Sequence, residues 1–272
     1  MGYDQFLREA APFFGLQWRE FRRRGVRRKV ERRIAEIGLP GFEEYLSRIR
    51  EDQEEQRQLS QILTVTISRF FRDKEVFDAI EAPLLPSILK NNSGGDLKIW
   101  SIGCASGEEP FSLSLLWKER FEKRWTRARF RILATDINEY LLDRAKERMY
   151  KKSSLEEIPE EIFNHFFKRE GGFFLINQTI LRTVEFRRHD IIREEPFTGM
   201  DLVLCRNLAF TYFSKECQIE VLRKIASSLK EDGHLVIGKD ESLPLTYPTL
   251  FILVFPAEKI YRKFTNTVRG SP

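Results

Sequence analysis

The chain has 272 residues, of which 42% are hydrophobic and 32% are charged, and its formal net charge is +5. This composition is typical of a soluble globular protein with one large or two smaller domains. No apolar run reaches the roughly 20 residues of a membrane-spanning helix, and the first residues lack the pattern of a secretory signal. We therefore expect no membrane insertion.

The cysteines and histidines indicate neither disulfide bonds nor a metal centre. There are three of each, without a C-x-x-C pair or metal-ligand spacing. They are Cys104, Cys205, Cys217, His165, His189 and His234. We expect no metal, a reducing cytoplasmic location, and cysteines that act as small packing residues rather than nucleophiles.

The first 65 residues show helical apolar spacing and no strand pattern. The spacing predicts helices over 4–14, 17–37, 42–50 and 53–63, with a stop at Gly38-Leu-Pro-Gly41. We expect residues 1–65 to form a small, basic, all-helical domain.

A concentrated positive charge lies within this helical region. Residues 19–33 hold nine Arg and Lys against two Glu. Such a run suits an acidic partner, either nucleic acid or an acidic protein surface. A solvated helix face explains the same run without any partner.

Residues 66–95 are predicted to link this domain to the rest of the chain. Phe70 and Phe71 are expected to be buried anchors, with Arg72 at the surface. A helix is expected over 74–90, and Asn91-Asn-Ser-Gly-Gly95 is a loop.

From residue 97 onward, predicted strands alternate with predicted helices, which indicates an α/β fold with a parallel sheet. The sheet strands are expected at 97–102, 130–135, 184–189, 201–205, 234–238, 251–255 and 260–264. The helices are expected at 108–124, 139–149 and 215–229, and Asp232-Gly233 is expected to be a turn. Residues 151–183 break the rhythm and are predicted to be an inserted helix (155–167) and a small antiparallel hairpin within a 96–272 domain.

The loop after the first strand has the features of a ligand site. Gly103 lets the chain leave the strand sharply, and Gly107 permits close approach of a ligand. Glu108 and Glu109 stand where a phosphate-binding loop would place Lys and Ser or Thr, so an anionic ligand would be repelled. The loop therefore favours S-adenosylmethionine, whose sulfonium and ammonium are cationic, over ATP or a pyrophosphate cofactor. A strand-turn-helix corner without any ligand is the alternative.

Three further polar features follow predicted strands and should meet at the same sheet edge. They are Asp136, Asp190 and the Arg206-Asn207 pair. Asp136 can accept hydrogen bonds from ribose hydroxyls, or it can cap the helix that starts near Asn138.

The motifs as a set resemble the CheR family, S-adenosylmethionine-dependent methyltransferases that esterify glutamates of chemotaxis receptors. The resemblance extends over nearly the whole chain. The motifs are Phe70-Phe71-Arg72-Asp73, Ile99-Trp100-Ser101 with Cys104-Ala-Ser-Gly-Glu-Glu-Pro110, Ala134-Thr135-Asp136, Cys205-Arg206-Asn207 with Tyr212-Phe213, and Gly238-Lys-Asp-Glu-Ser242.

The resemblance implies a Rossmann-like sheet and a set of site residues. It implies that Thr66, Ser68 and Arg72 line the cofactor pocket with Gly103, that Glu109 contacts the methionine end, and that Asp136 holds the ribose. It implies that Asp190 and Ile191 flank the adenine and that Arg206 and Asn207 close the pocket near the sulfonium. Arg72 and Tyr212 would be the residues tied to activity.

The chain departs from the family pattern in places that bear on the acceptor. The step from Asn207 to Tyr212 is five positions, where the family pattern has four, and Thr66 and Ser68 replace the commoner Asn and Thr. The inserted hairpin has only Gly171-Gly172 where members that dock on a receptor tail have a longer loop, so we do not expect tail tethering.

Three hypotheses follow. The first is methylation of glutamates in chemoreceptor-like proteins. The second is a related methyltransferase with a small-acid or other protein acceptor, and the third is a non-catalytic S-adenosylmethionine-binding signalling module. Nucleic acid is not expected as the substrate, because the Asn/Asp-Pro-Pro-Tyr type of motif is missing from the sequence.

Overall fold

A computed structural model describes residues 1–63, 68–92, 95–244 and 250–264. The chain divides into two compact units. The first unit comprises Met1–Thr66 with Thr211–Gln218, and the second comprises Ile67–Phe210 with Ile219–Pro272. The segment 211–218 was not predicted to belong with the N-terminal helices.

The first unit is helical. Its N-terminal part contains α1 (Tyr3–Ala10), α2 (Arg24–Glu36), α3 (Phe42–Glu51) and α4 (Gln53–Leu63). The predicted continuous helices over 4–14 and 17–37 are wrong, because 3-10 turns occupy Ala11–Phe14 and Trp18–Phe21. The first turn contains Pro12 and ends at Gly15, which has a left-handed φ of 63°.

A buried ion pair joins α2 to α4 inside the first unit. The Arg33 guanidinium donates to Glu55 Oε1 at 2.9 Å and to Oε2 at 2.7 Å. The Tyr45 hydroxyl donates to the same carboxylate at 2.7 Å. Arg33 holds the pKa of the buried Glu55 below its ordinary value, and burial raises the pKa of Tyr45. The ion pair satisfies the one carboxylate that this helical core encloses among the described residues.

The second unit is built on a seven-stranded sheet with the spatial order β6-β2-β1-β7-β8-β10-β9. Its strands are β1 (Leu97–Ile102), β2 (Phe130–Asp136), β6 (Val184–Arg188), β7 (Met200–Cys205), β8 (Leu229–Ile237), β9 (Phe251–Phe255) and β10 (Ile260–Lys263). The central strands pair in parallel, and β10 pairs antiparallel with both β8 and β9. Every residue of β7 is buried, as expected for a central parallel strand. The α/β prediction is confirmed.

The helices of the second unit are more broken than predicted. They are α5 (Lys74–Ala79), α6 (Leu85–Asn91), α7 (Glu108–Leu116), α8 (Glu139–Glu147), α11 (Ala209–Tyr212) and α12 (Lys215–Ser228), of which the last two extend into 211–218. The predicted helix over 74–90 is interrupted by a π-turn at Ile80–Leu84 that contains Pro83. A second π-turn at Trp117–Phe121 ends α7 early. Proline lacks the N–H that a regular helix would use, which explains the first interruption.

The insertion is a three-stranded antiparallel sheet rather than a two-stranded hairpin. It contains β3 (Met149–Tyr150), α9 (Glu160–Phe166), β4 (Phe167–Glu170), β5 (Phe173–Ile176) and α10 (Gln178–Leu181), with strand order β3-β5-β4. The third strand, β3, was predicted as the end of a helix. It is too short for a pattern of alternating side chains to reveal it.

The predicted turn at Asp232-Gly233 lies inside β8. The pairing register between β7 and β8 shifts at this point, where Met200 opposes Leu229 and Leu202 opposes His234. Asp232 has a left-handed φ of 59°. The turn residues therefore form an irregularity within one strand, because the strand continues on both sides of them.

The helices of the described ranges include none that is both long enough and apolar enough to cross a membrane.

Gly107 gives the first testable prediction. It precedes α7 with a φ of 89°, and a Cβ atom there would lie 2.9 Å from the Ala145 Cβ and 3.1 Å from Phe186. Gly107→Ala should lower the free energy of unfolding by about 2–4 kcal/mol, because backbone strain and overpacking add. Urea denaturation measures this loss.

Two glycines of the insertion are matched controls. Gly171 has a φ of 59° but open space around its Cβ position, and Gly172 has open space without a left-handed φ. Gly171→Ala should cost about 1 kcal/mol from backbone strain alone, and Gly172→Ala should cost almost nothing. Equal losses in the free energy of unfolding for Gly107→Ala and Gly171→Ala would show that crowding at position 107 adds nothing to the backbone strain.

Candidate active site

The candidate site is the carboxyl edge of the sheet, where the loop after β1 turns into α7. Gly103 has a φ of 73°, and a Cβ atom there would lie 2.7 Å from Leu208 Cδ2. The backbone N–H groups of Gly103 and Cys104 both donate to Thr135 O, at 2.8 and 2.9 Å. The loop is thereby fixed against the end of the neighbouring strand β2.

Two adjacent carboxylates lie at the start of α7, where Glu108 is buried and 14% of the Glu109 side chain is exposed. Glu109 accepts a hydrogen bond from Ser101 Oγ at 2.8 Å, and Glu108 accepts from Ser106 Oγ at 3.0 Å and from the Ser68 side chain. Burial raises the pKa of both groups. The positive end of the α7 dipole favours negative charge at this position. These groups would gain from a cationic ligand, since their charges are only partly compensated within the protein.

Asp136, at the end of β2, pins the same loop. Its Oδ2 accepts from the Ala105 N–H at 2.9 Å, and its Oδ1 accepts from the Asn138 N–H at 2.9 Å. Burial raises the pKa of Asp136. The alternative prediction that Asp136 caps the following helix is wrong, because Asn138 is the cap of α8 and accepts from the Tyr140 N–H.

Asp190 and Ile191 lie in the turn after β6. Asp190 Oδ1 accepts from the Ile192 N–H at 3.0 Å, and Ile191 is buried. Lys224, on α12, donates its ammonium hydrogens to three carbonyl oxygens of this turn, those of Ile191, Ile192 and Glu194, at 2.8–3.1 Å. Lys224 was not singled out from the sequence, because a lysine on an amphipathic helix gives no signal of such a contact.

Arg206, directly after β7, reaches back to the segment that precedes α5. Its guanidinium donates to Asp73 Oδ2 at 2.6 Å, to Arg72 O at 2.8 Å and to Glu109 Oε2 at 3.3 Å. Ser112, on α7, accepts from the Phe71 N–H at 2.9 Å. The segment Phe70–Asp73 is thus fastened both to α7 and to the end of β7.

Asn207 adopts a left-handed conformation with a φ of 54°. Its backbone N–H and that of Gly238 donate to the same oxygen, Glu241 Oε2, at 2.9 and 2.6 Å. A Cβ atom at Gly238 would lie 2.7 Å from Asn207 Nδ2. The Gly-x-x-Glu-Ser motif was the sequence signal of this arrangement, although no role was assigned to Glu241.

Two further predicted site residues remain, Thr66 and Tyr212. Thr66 lies outside the described residues. Tyr212 belongs to the first unit, where its ring stacks on Phe21 at a centroid distance of 5.7 Å. Its backbone carbonyl accepts from the Gln17 N–H at 2.7 Å.

A cavity of about 440 Å³ lies elsewhere. It is lined by Leu89, Lys90 and residues 124–128. These residues precede β1 and β2, so the cavity is at the amino ends of the strands. In doubly wound sheets ligands bind at the carboxyl ends of the strands. We therefore place the candidate site at the carboxyl edge of the sheet and not at this cavity.

The described residues of the edge suit a cation with hydrogen-bonding groups. Glu109, Asp136 and Asp190 are carboxylates, and Arg206 is paired with two carboxylates. The described residues contain no group of three or more side chains that could hold a metal ion. The positions of Gly103 and Gly107 leave no room for a Cβ, as expected where the chain is tightly folded under a ligand.

A mostly parallel sheet with this acidic carboxyl edge fits the class of methyltransferases that use S-adenosylmethionine. The family described as "CheR methyltransferase, SAM binding domain" matches residues 66–260. The chain belongs to the CheR methyltransferase family. The predicted family and cofactor are confirmed.

Relatives of known name agree with this membership. The chain is 30% identical to the "Chemotaxis protein methyltransferase" of Listeria monocytogenes, over 89% of this chain and 90% of that protein. It is 31% identical to "Chemotaxis protein methyltransferase 1" of Pseudomonas aeruginosa, over 80% and 81%. It is also 31% identical to an uncharacterised 104.1 kDa protein of Rhodobacter capsulatus, and that match covers 80% of this chain but only 23% of the larger protein.

The two hydrogen bonds that Asp136 accepts give the second prediction. Asp136→Ala would leave the Ala105 and Asn138 N–H groups without their acceptor in a buried site. The free energy of unfolding without cofactor should fall by about 1–3 kcal/mol. Asp143→Ala, on the exposed face of α8, is the control and should change it by less than about 0.5 kcal/mol. An equal effect of the two changes would show that the carboxylate does not hold the loop.

Proposed function

We propose that this protein transfers the methyl group of S-adenosylmethionine to glutamate side chains of chemoreceptor-like signalling proteins. The observation that carries the proposal is the match over about nine-tenths of both chains to a protein named as a chemotaxis protein methyltransferase. The acidic carboxyl edge supports the cofactor half of the proposal. The buried free cysteines support a cytoplasmic location.

The cofactor is proposed to lie along the edge of the sheet. Glu109 would face the ammonium and sulfonium of its methionine end, beside the loop that starts at Gly103. Asp136 would accept from the ribose hydroxyls, and Asp190 and Ile191 would flank the adenine. Ser68 and Arg72 would line the pocket from the linker, with Arg206 and Asn207 near the sulfonium.

The methyl transfer requires few catalytic groups from the protein. When bound, S-adenosylmethionine supplies a methyl group on a sulfonium that is ready for direct displacement. A glutamate side chain is ionised at neutral pH and needs no strong base. The protein would then act by holding the carboxylate oxygen in line with the methyl carbon in a water-poor site. We propose that Arg72 orients this carboxylate and that Tyr212 donates a hydrogen bond to it.

The acceptor is proposed to dock on the basic face of α2. Val26, Val30 and Ile34 form the buried face of this helix. Arg24, Arg28 and Lys29 are exposed, and within the described ranges none of the three forms a salt bridge. These three cations, which we call the basic ridge, would complement an acidic protein surface. The short insertion gives no support for tethering to a receptor tail, and we do not propose it.

A different acceptor is the second candidate. The Asn207–Tyr212 spacing motivates it, since one extra residue changes where Tyr212 stands relative to the family pattern. A small acid or another protein would then receive the methyl group. The division into residues 1–65, 66–95 and 96–272 also remains a proposal about how these tasks are distributed along the chain.

The proposed role of Arg72 gives the third prediction. Arg72→Ala should reduce turnover of an acidic protein acceptor by roughly 100-fold, because a misplaced carboxylate loses its alignment with the methyl group. The affinity for S-adenosylmethionine, measured by calorimetry, should change by less than about threefold. Intact turnover would remove Arg72 from the catalytic residues, and lost cofactor binding would assign it to the cofactor alone.

The basic ridge gives the fourth prediction. The double change Arg24→Glu with Arg28→Glu should raise KM for a receptor signalling fragment by roughly tenfold and leave kcat nearly unchanged, since it affects encounter and not chemistry. The effect should shrink at high salt. Arg127→Glu with Arg129→Glu changes the net charge equally in the second unit and is the control. An equal rise in KM for both pairs would mean that overall charge, not the ridge, matters.

A further inference from the structure

We propose that Arg206 is a positioning residue that holds Glu109 and the Phe70–Asp73 segment in place for the cofactor. This adds a positioning role to the place near the sulfonium that the resemblance implies for Arg206. The inference rests on the binding of S-adenosylmethionine and is independent of which acceptor the protein methylates.

Two of the three guanidinium nitrogens are engaged by the protein, and Nε is buried without a hydrogen-bond partner among the described residues. Only 3% of the Arg206 side chain is exposed. It makes an ion pair with Asp73 at 2.6 Å, donates to Arg72 O at 2.8 Å, and lies 3.3 Å from Glu109 Oε2. Its carbon Cζ also lies 5.6 Å from the centre of the Phe77 ring. Its planar fork therefore connects three elements at once, a geometry that lysine cannot reproduce.

The charges support an indirect role. A bare guanidinium beside a sulfonium would repel it. Here two carboxylates, Asp73 and Glu109, surround the one cation. With one cation and two carboxylates, the group has one net negative formal charge, which attracts a cationic cofactor. Arg206 thus offsets the repulsion between the two carboxylates.

The backbone of the fastened segment requires support. Phe71 and Asp73 have left-handed φ values of 53° and 60°. Such conformations are costly for residues other than glycine, and they persist where surrounding contacts fix them. Arg206 bonds to the carbonyl of the residue between these two and to the Asp73 side chain. Its loss would release the segment that contains Arg72.

The pH dependence of cofactor affinity separates positioning from mere folding. Glu109 is faced by Ser101 from β1, by Arg72 from the segment, and by Arg206. The nearby thiols of Cys104 and Cys205 are neutral, because burial raises their pKa. Both arginines lower the pKa of Glu109 against the effect of burial. Without Arg206 that pKa would move further up, so the carboxylate would ionise at a higher pH than in the wild type.

The test is calorimetric titration of the full chain with S-adenosylmethionine between pH 6 and pH 9. Arg206→Met should weaken binding by roughly tenfold or more at pH 7, and the affinity should recover as pH rises. Arg206→Lys keeps the charge and should lose affinity without acquiring this pH dependence. Arg129→Met, at an exposed position before β2, is the control and should match the wild type at every pH.

Asp73→Asn tests the second contact and avoids the loss of the buried cation. It should leave the pH profile of binding unchanged but speed amide hydrogen exchange at Phe71 and Arg72. A loss of affinity in Arg206→Met that is the same at every pH, or unchanged exchange in Asp73→Asn, would overturn the proposal. If Arg206→Met does not fold, Arg206→Lys and Asp73→Asn provide the test. Wild-type cofactor affinity and wild-type amide hydrogen exchange in both variants would also overturn the proposal.

Discussion

The candidate active-site edge depends on enclosing carboxylates at the start of α7. Glu108 and Glu109 follow the glycine turn directly, and Asp136 lies at the end of the adjacent strand. Burial raises the pKa of all three groups. Folding therefore favours their protonated forms relative to the unfolded chain, so their ionisation costs stability as the pH rises above the unfolded values of about 4. A cationic cofactor would offset this cost when it binds.

Short polar contacts stabilise these carboxylates, and the backbone around them is strained. Serine hydroxyls and backbone N–H groups satisfy the carboxylates, and Arg206 supplies the one buried cation among the described residues of this edge. Ala105, Asn207, Phe71 and Asp73 all have left-handed φ values. Strain of this kind gathers where a site is over-determined by its surroundings. The same contacts that satisfy the charges thus also fix the loops that would enclose a ligand.

The sequence was sufficient for the sheet and for the edge at which its polar strand ends lie. The strands of the parallel sheet are continuous apolar runs, and their polar ends mark one edge. Local breaks were harder to see. The π-turn at Ile80–Leu84, the two-residue strand β3 and the irregularity at Asp232 all depend on tertiary pairing, which a periodic pattern does not contain. Contacts such as those of Lys224 with three carbonyls, or of Glu241 with the Asn207 N–H, join residues more than 25 positions apart in sequence, so a periodic pattern does not reveal them.

The most direct test of the proposed function is the chemical stability of the product. Full-length protein, a chemoreceptor signalling fragment and S-adenosylmethionine labelled in its methyl group are incubated together, and the modified fragment is then treated with mild base. A methyl ester on glutamate hydrolyses, so we expect the label to be released as methanol. Label that stays on the fragment after base treatment would contradict ester formation, and the absence of label on the fragment would contradict the proposed acceptor.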